Sequence, residues 1–595
     1  MSTNLRVGQE AVTPDPGNDS ACSSTQAGNR PKVGRRTGDW MRRHGLSVGL
    51  ALILSYLVLF PLARLLYLAL ADGGHAFREA IALPDLGTTI LTTVALGLGS
   101  LVISLVAGTM LAWFAMRLPQ RVSWLSAIPI LPMVLPAVAV VVGWAFLLSP
   151  QVGYVNIALR ALPFIDVPTP EVGLPSGPLN IYTVPGVVIV TGLQLTPLIY
   201  LFVQSGLRQL NYESIEAASV AGASPVRAFL SVVVPLLRPA LVYAGAFAML
   251  LGLGQLTAPQ FLGAREGIRV LASEVYRFGG EAPTDYAMAA AVASPLLITG
   301  IAFIVAQRLL LRQDFRFISA GAKGASRPLK ASRLAAPVIV AYGFLTLVLP
   351  FAALFLVAFS PYWTGKIDLG LLTLRNFERA LNDPGIVNAL VTSVTTSVGA
   401  IAIALPLGYL LTEVLYRRRG NPAVRAVLDV IVQIPLGVPA VVFGVGFLYV
   451  YLGQPFVLYG THLLIVITYV VLVLPFTVRM QLTARMAIGT AYEDAARASG
   501  AGPLRTHLGV VIPMMRGALA GASVLMFVIL THEFAASLFV RSTRTQVLGT
   551  LLYDQWSRGS YPMVATVSVI MSAVTAVGLV AAVAIGGRQT TLDRL

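Results

Sequence analysis

The segment E-A-A-S-V-A-G-A-S-P-V-R-A-F-L-S-V-V-V-P, residues 216–235, sets the interpretation of the whole chain because it occurs a second time. The second copy is D-A-A-R-A-S-G-A-G-P-L-R-T-H-L-G-V-V-I-P, residues 494–513. An acid, two alanines, a glycine and a closing proline recur at a constant offset of 278 residues. Such spaced identities indicate an internal duplication. The shared positions are Glu216, Ala217, Ala218, Gly222 and Pro235 in the first copy, and Asp494, Ala495, Ala496, Gly500 and Pro513 in the second.

Each repeated segment has the composition of two short helices joined by a tight turn. Residues 216–221 favour a helix with a small-residue face, and Gly222 ends it because glycine tolerates the left-handed conformation at a helix C-terminus. A second helix is predicted after Ser224 as N-cap, with Pro225 in its first turn. Two angled helices form a compact protrusion suited to a recess on another protein. An ordinary loop is the alternative for one copy, but the fixed repetition favours docking.

Both segments resemble the EAA loop of ABC-importer permeases, which also ends in alternating apolar residues and a proline. The matching tail residues are Val232, Val234 and Pro235, and again Val510, Ile512 and Pro513. The resemblance implies that each segment is a coupling helix that docks on a cytoplasmic ATPase subunit. The second copy departs from the pattern because Asp494 replaces the glutamate, which keeps the charge but shortens its reach.

The same resemblance implies the partners of the chain. They are two copies of an ABC ATPase subunit, which would carry ATP and Mg²⁺, and an extracytoplasmic solute-binding protein. The phosphate-binding motif G-x-x-x-x-G-K-[ST] does not occur in the sequence, so energy must come from another polypeptide or from an ion gradient. The chain itself is therefore expected to bind no cofactor and not to be an enzyme.

Composition places the chain among polytopic membrane proteins. It is 56% hydrophobic and 11% charged, with a mean hydropathy of +0.78. The net charge of +16 is spread over segments between apolar spans, which indicates a membrane-lipid environment and no nucleic-acid partner. The single cysteine, Cys22, excludes a disulfide framework.

The apolar segments predict an all-α polytopic membrane protein with twelve transmembrane helices, arranged as two tandem six-helix permease halves. Each span is long enough to cross a hydrocarbon core of about 30 Å. The predicted spans are 46–70, 88–116, 123–148, 183–207, 236–258 and 285–311, followed by 335–359, 385–415, 424–452, 461–483, 514–539 and 562–586.

Loop charges predict the orientation. Arginines flank both repeated segments and fill the linker between the halves, which places these loops in the cytoplasm by the positive-inside rule. Both termini are then cytoplasmic, in the inner or plasma membrane of a prokaryote. The predicted divisions are a disordered basic tail (1–45), a first permease half (46–311), a cytoplasmic linker (312–334), a second permease half (335–586) and a short cytoplasmic tail (587–595).

The duplication extends beyond the repeated segments. Gly99 and Gly108 match Gly399 and Gly408 at an offset of 300, whereas Pro197 matches Pro475 at 278. A further match, from Pro132 to Gly143, has an offset of 303. The change from 303 to 278 locates extra residues in an outer loop of the first half, within 150–185. Parallel repeats of this kind are related by an axis along the membrane normal.

Ionisable residues at membrane depth are candidates for the translocation pathway. Glu533 and His532 lie within the predicted eleventh span, and Gln255 is the counterpart of Glu533 at offset 278. A structural hydrogen bond, or a place near the outer interface, is the alternative for Glu533. Glu413, beside Arg417 at the inner end of its span, fits a snorkelling interface residue. The sequence identifies no metal ligands, since neither H-E-x-x-H nor paired C-x-x-C occurs.

Prolines in the third and ninth spans predict kinks, because proline removes a helical hydrogen bond. Such kinks suit either a gate or fixed packing. The prolines are Pro129, Pro132 and Pro136, and then Pro435 and Pro439.

The stretch T-H-E-F-A-A-S-L-F, residues 531–539, resembles a segment of fused ferric-iron-type permeases. The resemblance implies ferric iron as the solute, although His532 stands where that family has arginine. Thiamine, polyamine and phosphonate permeases share the architecture and are the alternatives. An ion-coupled secondary transporter is the rival class, but it does not account for two cytoplasmic docking segments.

Overall fold

The computed structural model describes residues 45–163, 175–208, 210, 213–314, 331–417 and 421–586. All regular elements within these ranges are helices. The N-terminal tail up to residue 44, most of the predicted linker, the C-terminal tail from 587 and part of the 150–185 loop lie outside the described residues.

Besides a π-helical turn (Pro259–Gly263) and a 3₁₀ turn (Ala264–Glu266), the described part of the first half has eleven helices, of which α3 is a 3₁₀ helix. They are α1 (Gly45–Ile81), α2 (Leu86–Ala115), α3 (Gln120–Val134), α4 (Ala137–Leu148), α5 (Tyr154–Arg160), α6 (Val184–Arg208), α7 (Glu213–Val220), α8 (Pro225–Leu236), α9 (Arg238–Leu253), α10 (Leu271–Gly280) and α11 (Tyr286–Asp314).

The second half follows a similar order. Its helices are α12 (Ala335–Phe359), α13 (Arg375–Asn382), α14 (Pro384–Tyr416), α15 (Pro422–Gly437), α16 (Ala440–Leu452), α17 (His462–Ile488), α18 (Ala491–Ala498), α19 (Pro503–Thr531), α20 (Ser537–Val540), α21 (Leu548–Ser557) and α22 (Tyr561–Gly586).

The predicted spans correspond, within the described residues, to nine apolar helices and three bent pairs, twelve in all by length and composition. The backbone of α1 leaves helical geometry at residues 71–74, directly after the predicted end of the first span at 70. The pairs α3–α4 and α15–α16 bend by 93° and 108°. Pro136 and Pro439 are the N-caps at these two breaks, as the predicted kinks require. The third pair, α8–α9, bends by 75° and was not predicted from the sequence.

The predicted eleventh span is wrong at its C-terminal end. The expected segment was 514–539, but α19 ends at Thr531 and the short helix α20 starts at Ser537. Glu533 therefore lies in the turn between two helices and not within a span. The apolar run F-A-A-S-L-F hid this break, since its hydropathy is that of a continuing span.

Matching contacts recur in the two halves. The Leu271 amide donates to Thr93 Oγ1 at 2.9 Å, and the Leu548 amide donates to Ser393 Oγ at 2.8 Å. Thr93 and Ser393 are counterparts at the offset of 300 that the glycines predict. In both halves a buried hydroxyl on the second span thus fixes the start of the corresponding helix, α10 or α21.

The first helix of each half packs against the opposite half. A Cβ added to Gly143 of α4 would lie 2.6 Å from the Pro350 carbonyl oxygen of α12. A Cβ added to Gly446 of α16 would lie 3.3 Å from the Pro61 carbonyl oxygen of α1. The approach at Gly143 leaves no room for a side chain and the approach at Gly446 leaves little, so reciprocal close packing joins the two halves.

Candidate functional sites at the repeated segments and between the halves

The first repeated segment has the predicted conformation. Helix α7 ends in a turn in which the Ala223 amide donates to the Ala218 carbonyl at 3.0 Å. Gly222 has φ of +84°, the left-handed value that favours glycine. Ser224 Oγ then accepts from the Arg227 amide at 3.3 Å, and Pro225 opens α8. The predicted helix, glycine turn and capped second helix are confirmed.

The second repeated segment has the same backbone. The Ala501 amide donates to the Ala496 carbonyl at 3.0 Å, and Gly500 has φ of +81°. Helix α19 follows with Pro503 in its first turn and Gly502 as its N-cap. The two segments therefore form the same turn, although their side chains differ.

Both segments present exposed acidic, small and apolar side chains. Glu216 and Asp494 are exposed, as are Ala217 and Ala495 beside them. Large apolar residues add to the exposed surface: Val220 (90%), Val226 (67%), Leu504 (72%) and Leu508 (58%). Exposed apolar patches on a polar rim are typical of protein interaction sites.

Glu413 does not snorkel, contrary to the prediction. Its side chain is buried, and it accepts from Arg417 Nε at 2.6 Å and from Arg485 Nε at 2.7 Å. The sequence showed the Glu413–Arg417 spacing, but not that Arg485 of α17 would reach the same carboxylate.

The three predicted pathway residues have separate local partners. Glu533 accepts from the amides of Ala536 at 2.7 Å and Ser537 at 2.8 Å, and also from the Ser537 hydroxyl. His532 Nε2 lies 3.0 Å from Thr575 Oγ1 of α22. Gln255 Nε2 donates to Gln194 Oε1 of α6 at 3.2 Å. No hydrogen bond joins any two of these three side chains in the described part of the chain.

Four aromatic rings meet at the boundary between the halves and form what we call the aromatic quartet: Phe261, Tyr276, Phe539 and Tyr553. Ring centroids are 5.6 Å apart for Phe261–Tyr553, 5.8 Å for Tyr276–Phe539 and 6.0 Å for Tyr276–Tyr553. Burial raises the pKa of both tyrosine phenols, so they stay neutral at physiological pH.

The aromatic quartet is pseudo-symmetric. Phe261 and Phe539 are counterparts at an offset of 278, and Tyr276 and Tyr553 at 277. Each phenylalanine of one half packs on the tyrosine of the other. Sequence reasoning missed these residues, although aromatic identity at the duplication offset was a signal that could have found them.

Polar contacts across the boundary surround the aromatic quartet. Gln260 Nε2 donates to the Tyr553 hydroxyl at 2.6 Å, and Trp556 Nε1 donates to the Phe261 carbonyl at 3.1 Å. Arg265 donates to the Tyr561 hydroxyl at 2.8 Å. The boundary between the halves is therefore both apolar and hydrogen-bonded at this place.

Among the described residues there is no group of three or more His, Cys, Asp or Glu side chains placed to hold a metal ion.

Comparison with known proteins identifies the family. The model of the "Binding-protein-dependent transport system inner membrane component" family matches twice, at residues 101–317 and 404–590. The chain is 28% identical over 487 residues to the "Probable ABC transporter permease protein y4fN" of Sinorhizobium fredii, covering 79% of this chain and 81% of that protein.

Two further relatives carry names that specify a solute. The ferric transport system permease protein FbpB of Actinobacillus pleuropneumoniae is 24% identical, covering 87% of this chain and 74% of that protein. The spermidine/putrescine transport system permease protein PotB of Salmonella typhimurium is 28% identical, covering 28% of this chain and 55% of that protein. Given the double match and the duplicated helical architecture, the chain belongs to the binding-protein-dependent transport system inner membrane component family, as an ABC-importer permease with two family repeats in one polypeptide.

Proposed function

We propose that this permease imports ferric iron, delivered by an extracytoplasmic binding protein and driven by two copies of a cytoplasmic ABC ATPase subunit. The observation that carries the ATPase assignment is the identical glycine turn at both repeated segments, with Gly222 at φ +84° and Gly500 at φ +81°. Two equivalent protrusions suit two copies of one partner. ATP and Mg²⁺ belong to that partner, and both termini of this chain lie in the cytoplasm.

Each repeated segment forms one docking surface. The first includes the exposed Glu216, Ala217 and Val220, and the second includes Asp494, Ala495 and Leu504. Val220 and Leu504 are among the most exposed apolar residues, which supports burial against a partner. ATP-driven closure of the two ATPase subunits would move α7 and α18 towards each other. Because the tight turns at Gly222 and Gly500 connect these helices to α8 and α19, the movement would reach the membrane helices.

The outer gate in this proposal is the aromatic quartet. Its rings are contributed equally by both halves, so any motion that separates the halves separates Phe261 from Tyr553 and Tyr276 from Phe539. The contacts of Glu533 argue for a supporting role. Its carboxylate caps the amides of α20, the helix that carries Phe539. Glu533 thereby positions one ring of the gate.

The choice of ferric iron is supported by the extent of similarity to FbpB, which covers most of both chains. The similarity to PotB covers about a quarter of this chain, and it keeps a polyamine among the alternatives. Thiamine and phosphonates are the remaining alternatives within the same architecture.

The test is uptake into proteoliposomes that contain the permease together with its cognate ATPase and binding protein. We expect ATP-dependent accumulation of ⁵⁵Fe³⁺ presented with the binding protein, and none with a hydrolysis-deficient ATPase. Accumulation of spermidine, thiamine or a phosphonate in place of iron would reject the solute. Uptake driven by a proton gradient without ATP would reject the coupling assignment and favour a secondary transporter.

A further inference from the structure

The clusters of side chains that lie behind the two coupling helices, α7 and α18, differ in chemical character. Behind α18 lies an ion cluster of two acids and two arginines, all buried or nearly so: Glu413, Arg417, Arg485 and Glu493. Arg485 is fully buried, and Glu493 is 2% exposed. Charged side chains are rarely buried unless they are paired.

The ion cluster connects α18 to two membrane helices. Glu493 of α18 accepts from Arg417, the C-cap of α14, at 2.5 Å and forms an ion pair with Arg485 of α17. Glu413 links the same two arginines at 2.6 and 2.7 Å. Arg485 Nη1 also donates to the Gly489 carbonyl at 2.7 Å, in the turn that leads into α18.

A residue from α19 completes the cluster. His507 Nε2 lies 2.9 Å from Arg417 Nη2, and the other ring nitrogen contacts the Tyr409 hydroxyl of α14. The Arg485 guanidinium lies 4.1 Å from the centroid of the Tyr416 ring. The cluster thus joins the C-terminal ends of α14 and α17 to α18 through Glu493 and to α19 through His507.

The first half has an apolar cluster at the equivalent positions. The duplication offsets pair Glu413 with Trp113, Arg485 with Leu207, Glu493 with Ile215 and His507 with Phe229. Trp113, Leu207 and Ile215 belong to one buried hydrophobic cluster against which Phe229 packs. The Trp113 and Phe229 rings are 5.0 Å apart.

Of the two arginines in the cluster, only Arg417 has an arginine at its equivalent position in the first half. Arg117 corresponds to Arg417, and its guanidinium lies 5.5 Å from the centroid of the Trp113 ring. In the second half Arg417 pairs with Glu413. In the first half Arg117 lies over the ring of Trp113, which is the counterpart of Glu413.

These two attachments differ physically. Apolar packing is non-directional, so α7 keeps most of its contact energy if it tilts against its cluster. Paired guanidinium and carboxylate groups have a defined geometry, and displacement leaves buried charges unpaired. We propose that Glu413, Arg417, Arg485 and Glu493 are positioning residues that make α18 a rigid extension of α14 and α17, so that the two halves transmit ATPase movement unequally.

This inference rests on the proposed coupling to an ATPase, but part of its test does not. In the purified permease, hydrogen–deuterium exchange should be slower for residues 491–498 than for residues 213–220. Glu493→Gln, which keeps the shape of the side chain, should remove this difference. Equal exchange of both helices in the wild-type protein would overturn the proposal.

The functional test uses the assembled complex and a variant that copies the first half: Glu413→Trp, Arg485→Leu, Glu493→Ile and His507→Phe. Because it leaves no unpaired acid buried, it should fold and bind the ATPase as the wild type does. Stimulation of ATP hydrolysis by the loaded binding protein should nevertheless fall about tenfold, as typical coupling energies allow. Asp429→Asn, which breaks the more exposed pair with Arg479, is the matched control and should leave stimulation unchanged.

Full stimulation in the four-residue variant would overturn the proposal, since charge pairing would then be dispensable for transmission. If the ion cluster has only a structural role, stimulation should also stay full in the four-residue variant, and Glu493→Gln should lower only the thermal midpoint. If the wild-type complex itself shows no stimulated hydrolysis, the proposed function fails instead, and the exchange measurement alone decides this inference.

Discussion

Phe261 and Tyr553 pack edge to face across the boundary between the halves, with ring centroids 5.6 Å apart. Tyr276 and Phe539 repeat the contact in the opposite sense at 5.8 Å. A pair of reciprocal contacts at a pseudo-two-fold boundary breaks or forms as a unit when the halves move. This geometry makes the aromatic quartet the natural place to test whether the boundary is a gate.

Phe261→Ala should open the boundary. Truncating a buried phenylalanine typically costs about 3–5 kcal/mol of packing energy. At Phe261 this loss weakens the contact between the two halves. We expect solute to leak through proteoliposomes without ATP. Phe202→Ala is the control, because Phe202 pairs with Phe247 within the first half and is 38% exposed. If the Phe261→Ala variant does not leak, the aromatic quartet is not the gate.

Leucine at both glycine turns should weaken ATPase docking. A left-handed conformation costs a residue with a side chain about 1–2 kcal/mol, and Gly222 and Gly500 both adopt it. The double variant should insert normally but recover less ATPase on co-purification. Gly502→Ala is the control, since Gly502 has φ of −67° and open space around it. Undiminished co-purification and uptake of the double variant would contradict the coupling assignment.

Glu533→Gln should lower stability more than transport. The carboxylate accepts two backbone amides of α20, and weakening hydrogen bonds to a charged group typically costs about 1.5–3 kcal/mol. We expect a lower thermal midpoint and lower yield, with uptake per folded complex unchanged. Normal stability together with lost uptake would instead make Glu533 a pathway residue.

Topology reporters test the predicted orientation. Fusions at Gly321 and Gly420 should report the cytoplasm, because both positions adjoin basic loops. A fusion within residues 165–178 should report the outside. An external signal at Gly321 would overturn the twelve-span arrangement.

Local chemistry explains what the sequence determined. Hydropathy located the spans because a hydrocarbon core demands long apolar helices. The turns at Gly222 and Gly500 were predictable because a left-handed helix end and a following cap involve neighbouring residues only. The duplication was readable because its offsets are preserved along the chain.

Only the tertiary structure decided which distant residues meet. Glu413 and Glu493 lie on different helices, and no local pattern indicates that Arg485 is buried between them. Likewise, Phe261 and Tyr553 contact each other because the halves pack face to face, which depends on helix orientation around the pseudo-two-fold axis. Glu533 was misplaced for a different reason: hydropathy reports how apolar a segment is, and it does not show the break after Thr531, where the carboxylate accepts from amides only three and four residues further on.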